Sequence, residues 1–188
     1  MEILSMGKSC DATFIEDVKR ESGQDPATCY QCGNCTAGCP YTFVYDIPVN
    51  QIMRLLQAGQ KERILKSKSL WLCATCESCT TRCPQGIDVA LIMDVLRHMA
   101  RREGYAAEKN VKTFYDGFLE SVKRHGRVFE MGVAANYNLK TGRFWTGADI
   151  APKALSIGKL DFRPHEIKGR DEVKRIFRRY LQREEAGE

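Results

Sequence analysis

Apolar residues recur along this chain at helical intervals, and one block of them occurs twice. Ile47, Val49, Ile52, Met53 and Leu56 carry the same spacing as Ile87, Val89, Ile92, Met93 and Leu96. Positions three and four apart share a helix face, so each block predicts a helix with one buried stripe. The Met and Leu stripe reads as core packing. Pro48 suits a first helical turn, where its missing N–H matters little. Asp46 or Asp88 stands where it would cap its respective helix. The first block's helix is expected over 48–58, followed by another over 61–66. Upstream, 13–20 reads as a short amphipathic helix with Phe14, Ile15 and Val18 on one side. Gly23 and Asp25-Pro26 are the signals that end it.

Downstream, 107–124 predicts a helix with Val111, Phe114, Tyr115, Phe118, Leu119 and Val122 on its apolar face. Residues 171–183 read as a basic amphipathic helix. Val173, Ile176, Phe177, Tyr180 and Leu181 lie on one side, with Lys174, Arg175, Arg178, Arg179 and Arg183 on the other. A solvated cationic face over a packed apolar one is the plain reading; a docking face for an acidic partner is the functional one. Between these helices, 126–164 is rich in Gly and shows no sustained period. It carries Phe129, Tyr137, Phe144, Trp145 and Phe162, and disordered segments are poor in aromatics. It is therefore expected to be an irregular arm laid across a partner.

The chemistry lies in the cysteines. Eight of the nine fall into two copies of one string, Cys29-x2-Cys32-x2-Cys35-x3-Cys39-Pro40 and Cys73-x2-Cys76-x2-Cys79-x3-Cys83-Pro84. This is the ligand spacing of paired [4Fe–4S] clusters. Three cysteines on a tight loop cap three irons, and the fourth, before Pro, usually serves the other cluster. The expected sets are Cys29, Cys32, Cys35 and Cys83 for one cluster, and Cys73, Cys76, Cys79 and Cys39 for the other. Small residues such as Gly33, Ala37 and Gly38 let backbone N–H groups approach cluster sulfides. The second string has Glu77, Ser78, Thr81 and Arg82 in similar places, so the two sites are expected to differ in potential.

Two other uses of cysteine compete. Structural zinc takes short pairs separated by a longer gap, unlike these continuous strings. A disulfide framework needs an oxidising compartment, and residues 1–10 show no apolar run of a secretory signal. The expected location is cytoplasmic. Cys10 is left over from both quartets and reads as an incidental thiol.

At 188 residues the chain is long enough for one compact domain with extensions. The expected division is an N-terminal extension with a short helix (1–25), an α-helical ferredoxin-like dicluster domain (26–125), and a docking arm with the basic helix (126–188). The fold class is mainly α, because residues 40–72 lack the β-rich segments of a compact βαβ ferredoxin. The most apolar stretch, 87–100, is broken by Asp88, Asp94, Arg97 and His98, so no membrane span is expected. The formal charge of +5 falls to about +1 once two clusters with their thiolates are counted. Nucleic-acid binding is therefore weakly supported, although a metal-stapled nucleic-acid-binding protein is the reading from another class. His98, His125 and His165 are scattered, and there is no Gly-rich dinucleotide fingerprint. No catalytic acid, base or nucleophile stands out.

The chain resembles the C subunit of heterodisulfide reductase, the small iron–sulfur component of the soluble methanogen complex. The resemblance rests on Cys29-Tyr-Gln-Cys-Gly-Asn-Cys-Thr-Ala-Gly-Cys-Pro, on Trp71-Leu-Cys-Ala-Thr-Cys-Glu-Ser-Cys-Thr-Thr-Arg-Cys-Pro, on overall length, and on the Gly/aromatic arm with its basic tail. It implies a non-catalytic component of an oxidoreductase, working in methanogenesis. Such a component relays single electrons from a flavin- and iron–sulfur-containing partner, which bifurcates electrons, to a catalytic iron–sulfur partner. The catalytic partner reduces the mixed disulfide of coenzyme M and coenzyme B, and a hydrogenase or formate dehydrogenase supplies electrons upstream. Similar modules occur in the iron–sulfur subunits of fumarate reductase, succinate dehydrogenase and anaerobic glycerol-3-phosphate dehydrogenase. The first two add a plant-type ferredoxin domain and the last a long cysteine-rich half. No cysteine follows Cys83 here.

Overall fold

In the computed structural model, residues 10–11, 13–105, 107–144, 150–158, 161–165 and 167–186 are described. Trp145 lies outside them, as does nearly all of the 1–10 segment. The described residues are mainly helical and contain no strand. The chain divides into two compact units, Met1–Glu108 and Lys109–Glu188, whereas the sequence placed boundaries after residues 25 and 125.

The first unit opens with α1 (Phe14–Ser22), whose apolar spacing buries Phe14 and Val18. It stops at Gly23, which turns left-handed at φ +64 and returns its N–H to the Lys19 carbonyl. A 3-10 turn, Pro26–Thr28, leads into the first cysteine loop, which ends in α2 (Asn34–Ala37). Another 3-10 turn, Thr42–Val44, precedes α3 (Val49–Gln57), the helix of the first repeated block. Two short helices follow, α4 (Lys61–Leu65) and α5 (Ser69–Leu72). The second cysteine loop ends in α6 (Ser78–Thr81), and α7 (Val89–Arg102) carries the second block.

The stripes do what their period requires. Ile52, Met53 and Leu56 meet Ile92, Met93 and Leu96 in one core, joined by Phe14, Val18, Ile64, Leu65 and Leu70. Truncating any of these large side chains to Ala would cost about 2–5 kcal/mol. Cys29, Cys39, Cys73, Cys79 and Cys83 pack against this core, so the loops are seated on the most buried part of the unit.

The two capping aspartates part company. Asp88 caps α7, accepting the Leu91 N–H at 3.0 Å. Asp46 does not cap α3, whose N-cap is Pro48. Its carboxylate instead accepts the Lys68 and Ser69 N–H groups, each at 3.0 Å, and so serves the start of α5. Asp46 stands two residues too early for α3, and the fold brings unsatisfied N–H groups of another helix within its reach.

In the second unit, α8 (Lys109–His125) packs against α9 (Glu130–Thr141), followed by α10 (Ala151–Ser156) and α11 (Arg170–Ala186). The sequence offered no period over 126–164, yet α9 and α10 lie there. Apolar Met131, Val133, Tyr137 and Leu139 are spread around α9, so no single stripe announces it. The buried face of α8 also differs from expectation. Gly117 is buried, while Phe114, Tyr115, Phe118 and Leu119 are exposed. A Cβ at Gly117 would stand 3.1 Å from the Asn136 amide, so the missing side chain is what lets the two helices approach. Phe114 still reaches Tyr137 edge-on, with ring centroids 6.1 Å apart. In α11, Phe177 is half-buried and Ile176, Tyr180 and Leu181 are exposed.

Candidate metal centre

The two loops share one backbone design. Gln31 and Gly33 in the first, and Thr75 and Glu77 in the second, all have positive φ, of 64°, 82°, 51° and 61°. These are matched positions, one before and one after the middle cysteine of each trio. Left-handed residues alternating with ordinary ones turn successive N–H groups to one side, the geometry of an anion-binding nest. Only Gly adopts it freely. That Gln31, Thr75 and Glu77 accept it shows the surrounding contacts impose the loop shape.

A threonine after the third cysteine ties each loop to its helix. The Thr36 hydroxyl donates to the Asn50 side chain at 2.7 Å and accepts the Asn50 N–H at 2.9 Å. In the second half, Thr80 donates to Asp88 at 2.8 Å and accepts the Ala90 N–H at 3.1 Å. Cys35 and Cys79 are therefore fixed to α3 and α7 through one residue each.

One concavity is lined by Cys73, Cys76 and Cys79 of the second loop together with Cys39 of the first string. Tyr41, Tyr45, Val49, Ala90 and Met93 complete its wall. Burial, then the adjacent Cys73 and Cys39 sulfurs, push the Tyr45 hydroxyl above its ordinary range. Around the first loop, Tyr30 stands beside Cys32, Cys83 and Cys29. Partial desolvation, then these sulfurs, push its hydroxyl up. The structure thus brings Cys39 to the second trio, while Cys83, Cys29 and Cys32 all lie within electrostatic reach of the Tyr30 hydroxyl.

The thiols differ in environment. Burial pushes Cys79 up to about 11, with the Cys73 sulfur adding to it. Burial also raises Cys35, against hydrogen bonds from Thr36. The Ser78 hydroxyl and N–H hold Cys76 below the usual thiol range. In the first loop, the Gln31 amide donates to the Cys29 sulfur at 3.5 Å. Soft thiol donors ringing a space are a fit for iron–sulfur clusters. Among the described residues no three His, Cys, Asp or Glu side chains converge on a site for a single ion. Cys10 is elsewhere: its thiol donates to the Ala58 carbonyl at 3.3 Å, against Gly59.

Sequence reasoning missed Tyr30, Tyr45, Gln31, Gln57 and Arg97 as neighbours of the cysteines. The last two carried a signal, since each follows the final leucine of its repeated block.

Residues 28–87 match the 4Fe-4S dicluster domain family. The chain is 35% identical over 97 residues to the C subunit of the H(2):CoB-CoM heterodisulfide,ferredoxin reductase of Methanothermobacter thermautotrophicus, covering 52% of each chain. It is 40% identical over 80 residues to the iron-sulfur C subunit of the CoB–CoM heterodisulfide reductase of Methanopyrus kandleri, covering 43% of this chain and 42% of that one. To the C subunit of the Ferredoxin:CoB-CoM heterodisulfide reductase of Methanosarcina acetivorans it is 40% identical over 81 residues, 43% of this chain and 32% of that one. The chain spans about half the length, or less, of these curated relatives. The dicluster match and the cysteine strings together give it two [4Fe–4S] clusters, and with these homologues they support an electron-transfer role. Among the described residues no helix is long and apolar enough to cross a membrane.

Proposed function

We propose that the chain is the electron-relay component of a heterodisulfide reductase, without catalysis of its own. It accepts single electrons from a flavin- and iron–sulfur-containing partner. It delivers them to a catalytic iron–sulfur partner that reduces the coenzyme M–coenzyme B disulfide, in the cytoplasm. A hydrogenase or formate dehydrogenase would stand upstream. The observation that carries the reading is the pairing of Cys39 with Cys73, Cys76 and Cys79 around one concavity. Cys29, Cys32, Cys35 and Cys83 would hold the first cluster, and Cys73, Cys76, Cys79 and Cys39 the second. A bound [4Fe–4S] cluster supplies reversible one-electron storage.

The chain's own residues do the rest. The nest-like loops turn successive N–H groups to one side, Thr36 and Thr80 tie the trios to α3 and α7, and one core seats both loops. With four thiolates assigned to each, neither site leaves iron open to a substrate. Tyr41, Phe43 and Val44 are exposed beside the second site, Phe43 at 84%. In the second unit Phe114, Phe118, Phe144 and Ile176 are exposed. Apolar surface of this extent fits a chain that works inside a complex.

The test is an affinity purification of the native protein under strict anaerobiosis, with iron and flavin assayed in the eluate. Co-purification of a flavoprotein and a second cysteine-rich protein, with heterodisulfide-dependent oxidation of a reduced dye, is expected. A lone brown protein active only as a diffusible carrier would overturn the complex assignment. A colourless protein containing zinc would overturn the relay altogether.

A further inference from the structure

The repeat carries one exchange of charge at a matched position. Gln57 follows Leu56 in the first block, and Arg97 follows Leu96 in the second. The Gln57 Nε2 donates to the carbonyls of Pro26 at 3.0 Å and Cys29 at 2.8 Å. The Arg97 guanidinium donates from Nε to the Leu70 carbonyl and from Nη2 to the Cys73 carbonyl, both at 2.7 Å. Pro26 lies three residues before Cys29, and Leu70 three before Cys73. The same two carbonyls of each loop are thus held from the same helix position, once by a neutral amide and once by a cation.

We propose that this exchange sets the two sites apart in reduction potential: Arg97 raises the potential of the site that includes Cys73, so a shared electron rests there. The inference builds on the relay reading above. Reduction adds negative charge, and a fixed cation nearby stabilises the reduced form. An arginine brings a permanent charge. The Arg97 side chain is only 18% exposed, so solvent screens it weakly.

Of the other charges around the two loops, Asp88 at the Thr80 hydroxyl and Asp46 at Ser69 oppose Arg97 on the second loop's side. They bond residues outside the cysteine set, whereas Arg97 bonds the Cys73 carbonyl itself. Asp94 pairs with the Arg97 Nη1 at 3.2 Å, but its side chain is 38% exposed and offsets the field only in part. Glu77, beside Cys76, is exposed and screened. Arg54, which matches Asp94 in the first half, is exposed too. Arg82 lies over Gly38, next to Cys39, and itself precedes Cys83. It therefore adjoins one proposed ligand of each site and favours neither.

The test is EPR-monitored potentiometry of the full-length, anaerobically purified holoprotein and its R97Q, R97K and Q57R forms. R97Q installs the residue that the first half already uses in this clamp, so the loop carbonyls keep a donor. In R97Q the sharing of one electron is expected to move towards the first site by about tenfold, or about 59 mV. R97K keeps the original order. Q57R raises the first site and narrows the gap by a similar factor. Clusters present but with potentials unmoved in R97Q overturn the inference and leave the relay reading intact. If R97Q loses its clusters, Q57R decides in the same way. A wild-type chain without redox-active clusters overturns the relay reading and this inference with it.

Discussion

The Thr80 hydroxyl donates to the Asp88 carboxylate at 2.8 Å, tying the residue after Cys79 to the cap of α7. Asp88 thereby serves the Leu91 N–H and the cysteine loop at once. Replacing Asp88 by Ala removes both bonds and is expected to cost about 1 kcal/mol, which is about 4–8 °C in Tm for a unit of about 100 residues such as Met1–Glu108. Holoprotein melts followed through cluster absorbance measure it; an unchanged Tm would show that the cap is idle.

Crossed ligation makes an asymmetric prediction. Cys39→Ser is expected to damage the site of Cys73, Cys76 and Cys79, and Cys83→Ser the site of Cys29, Cys32 and Cys35. Each variant should lose the EPR signal of the opposite string's cluster, with iron falling from about eight per chain towards four. Loss of the signal belonging to the mutated cysteine's own string would exclude the crossed arrangement.

Glu77 sits at φ +61 where the first loop has Gly33 at φ +82. A left-handed backbone costs a residue with a side chain about 1–2 kcal/mol, and glycine returns part of this through chain entropy. Glu77→Gly is expected to stabilise the holoprotein by roughly 0.5–1 kcal/mol. Gly33→Ala should destabilise by about 1 kcal/mol through backbone strain alone, because a Cβ there meets nothing within 4 Å. Denaturant midpoints moving in the same direction for both would contradict the strain argument.

Partial desolvation opposes ionisation of Asp46, but hydrogen bonds from Ser67, Ser69 and the Lys68 and Ser69 N–H groups outweigh it and hold the carboxyl at about 2. The folded value lies below the ordinary 3.8, so the contribution is full above about pH 4 and is lost as pH falls towards 2. Asp46 is exposed, and solvent screening reduces the contribution to about 1 kcal/mol. The stability gap between the native chain and Asp46→Asn should therefore be widest near neutrality and close below pH 4. A gap constant over that range would place the effect outside the carboxyl's ionisation.

The Tyr45 hydroxyl lies against the Cys73 and Cys39 sulfurs. A phenol facing a thiolate stabilises the more negative, reduced state. Tyr45→Phe is expected to lower the potential of that site, with roughly 1 kcal/mol lost between the two redox forms. Potentiometry of the holoprotein reads this directly; a shift confined to the Cys29 site would refute the placement.

The two cysteine strings and the helices of the repeated blocks were legible without coordinates. Both are local patterns: ligand spacing within eleven residues, and apolar positions three and four apart. The end of α1 at Gly23 and the cap of α7 at Asp88 were legible too, because single residues carry those signals. Other features waited on the packing. Asp46 serves α5 rather than α3 because that choice depends on which helix start is brought near it. In α8, Gly117 rather than the aromatics turns inward, since close approach to α9 rewards the missing side chain over the large one. Packing also brought Cys39 to the second loop and set Gln57 and Arg97 over the same two carbonyls of their loops. Those contacts join residues 24 to 40 positions apart, and only the seating of the two stripes against each other can place such residues side by side.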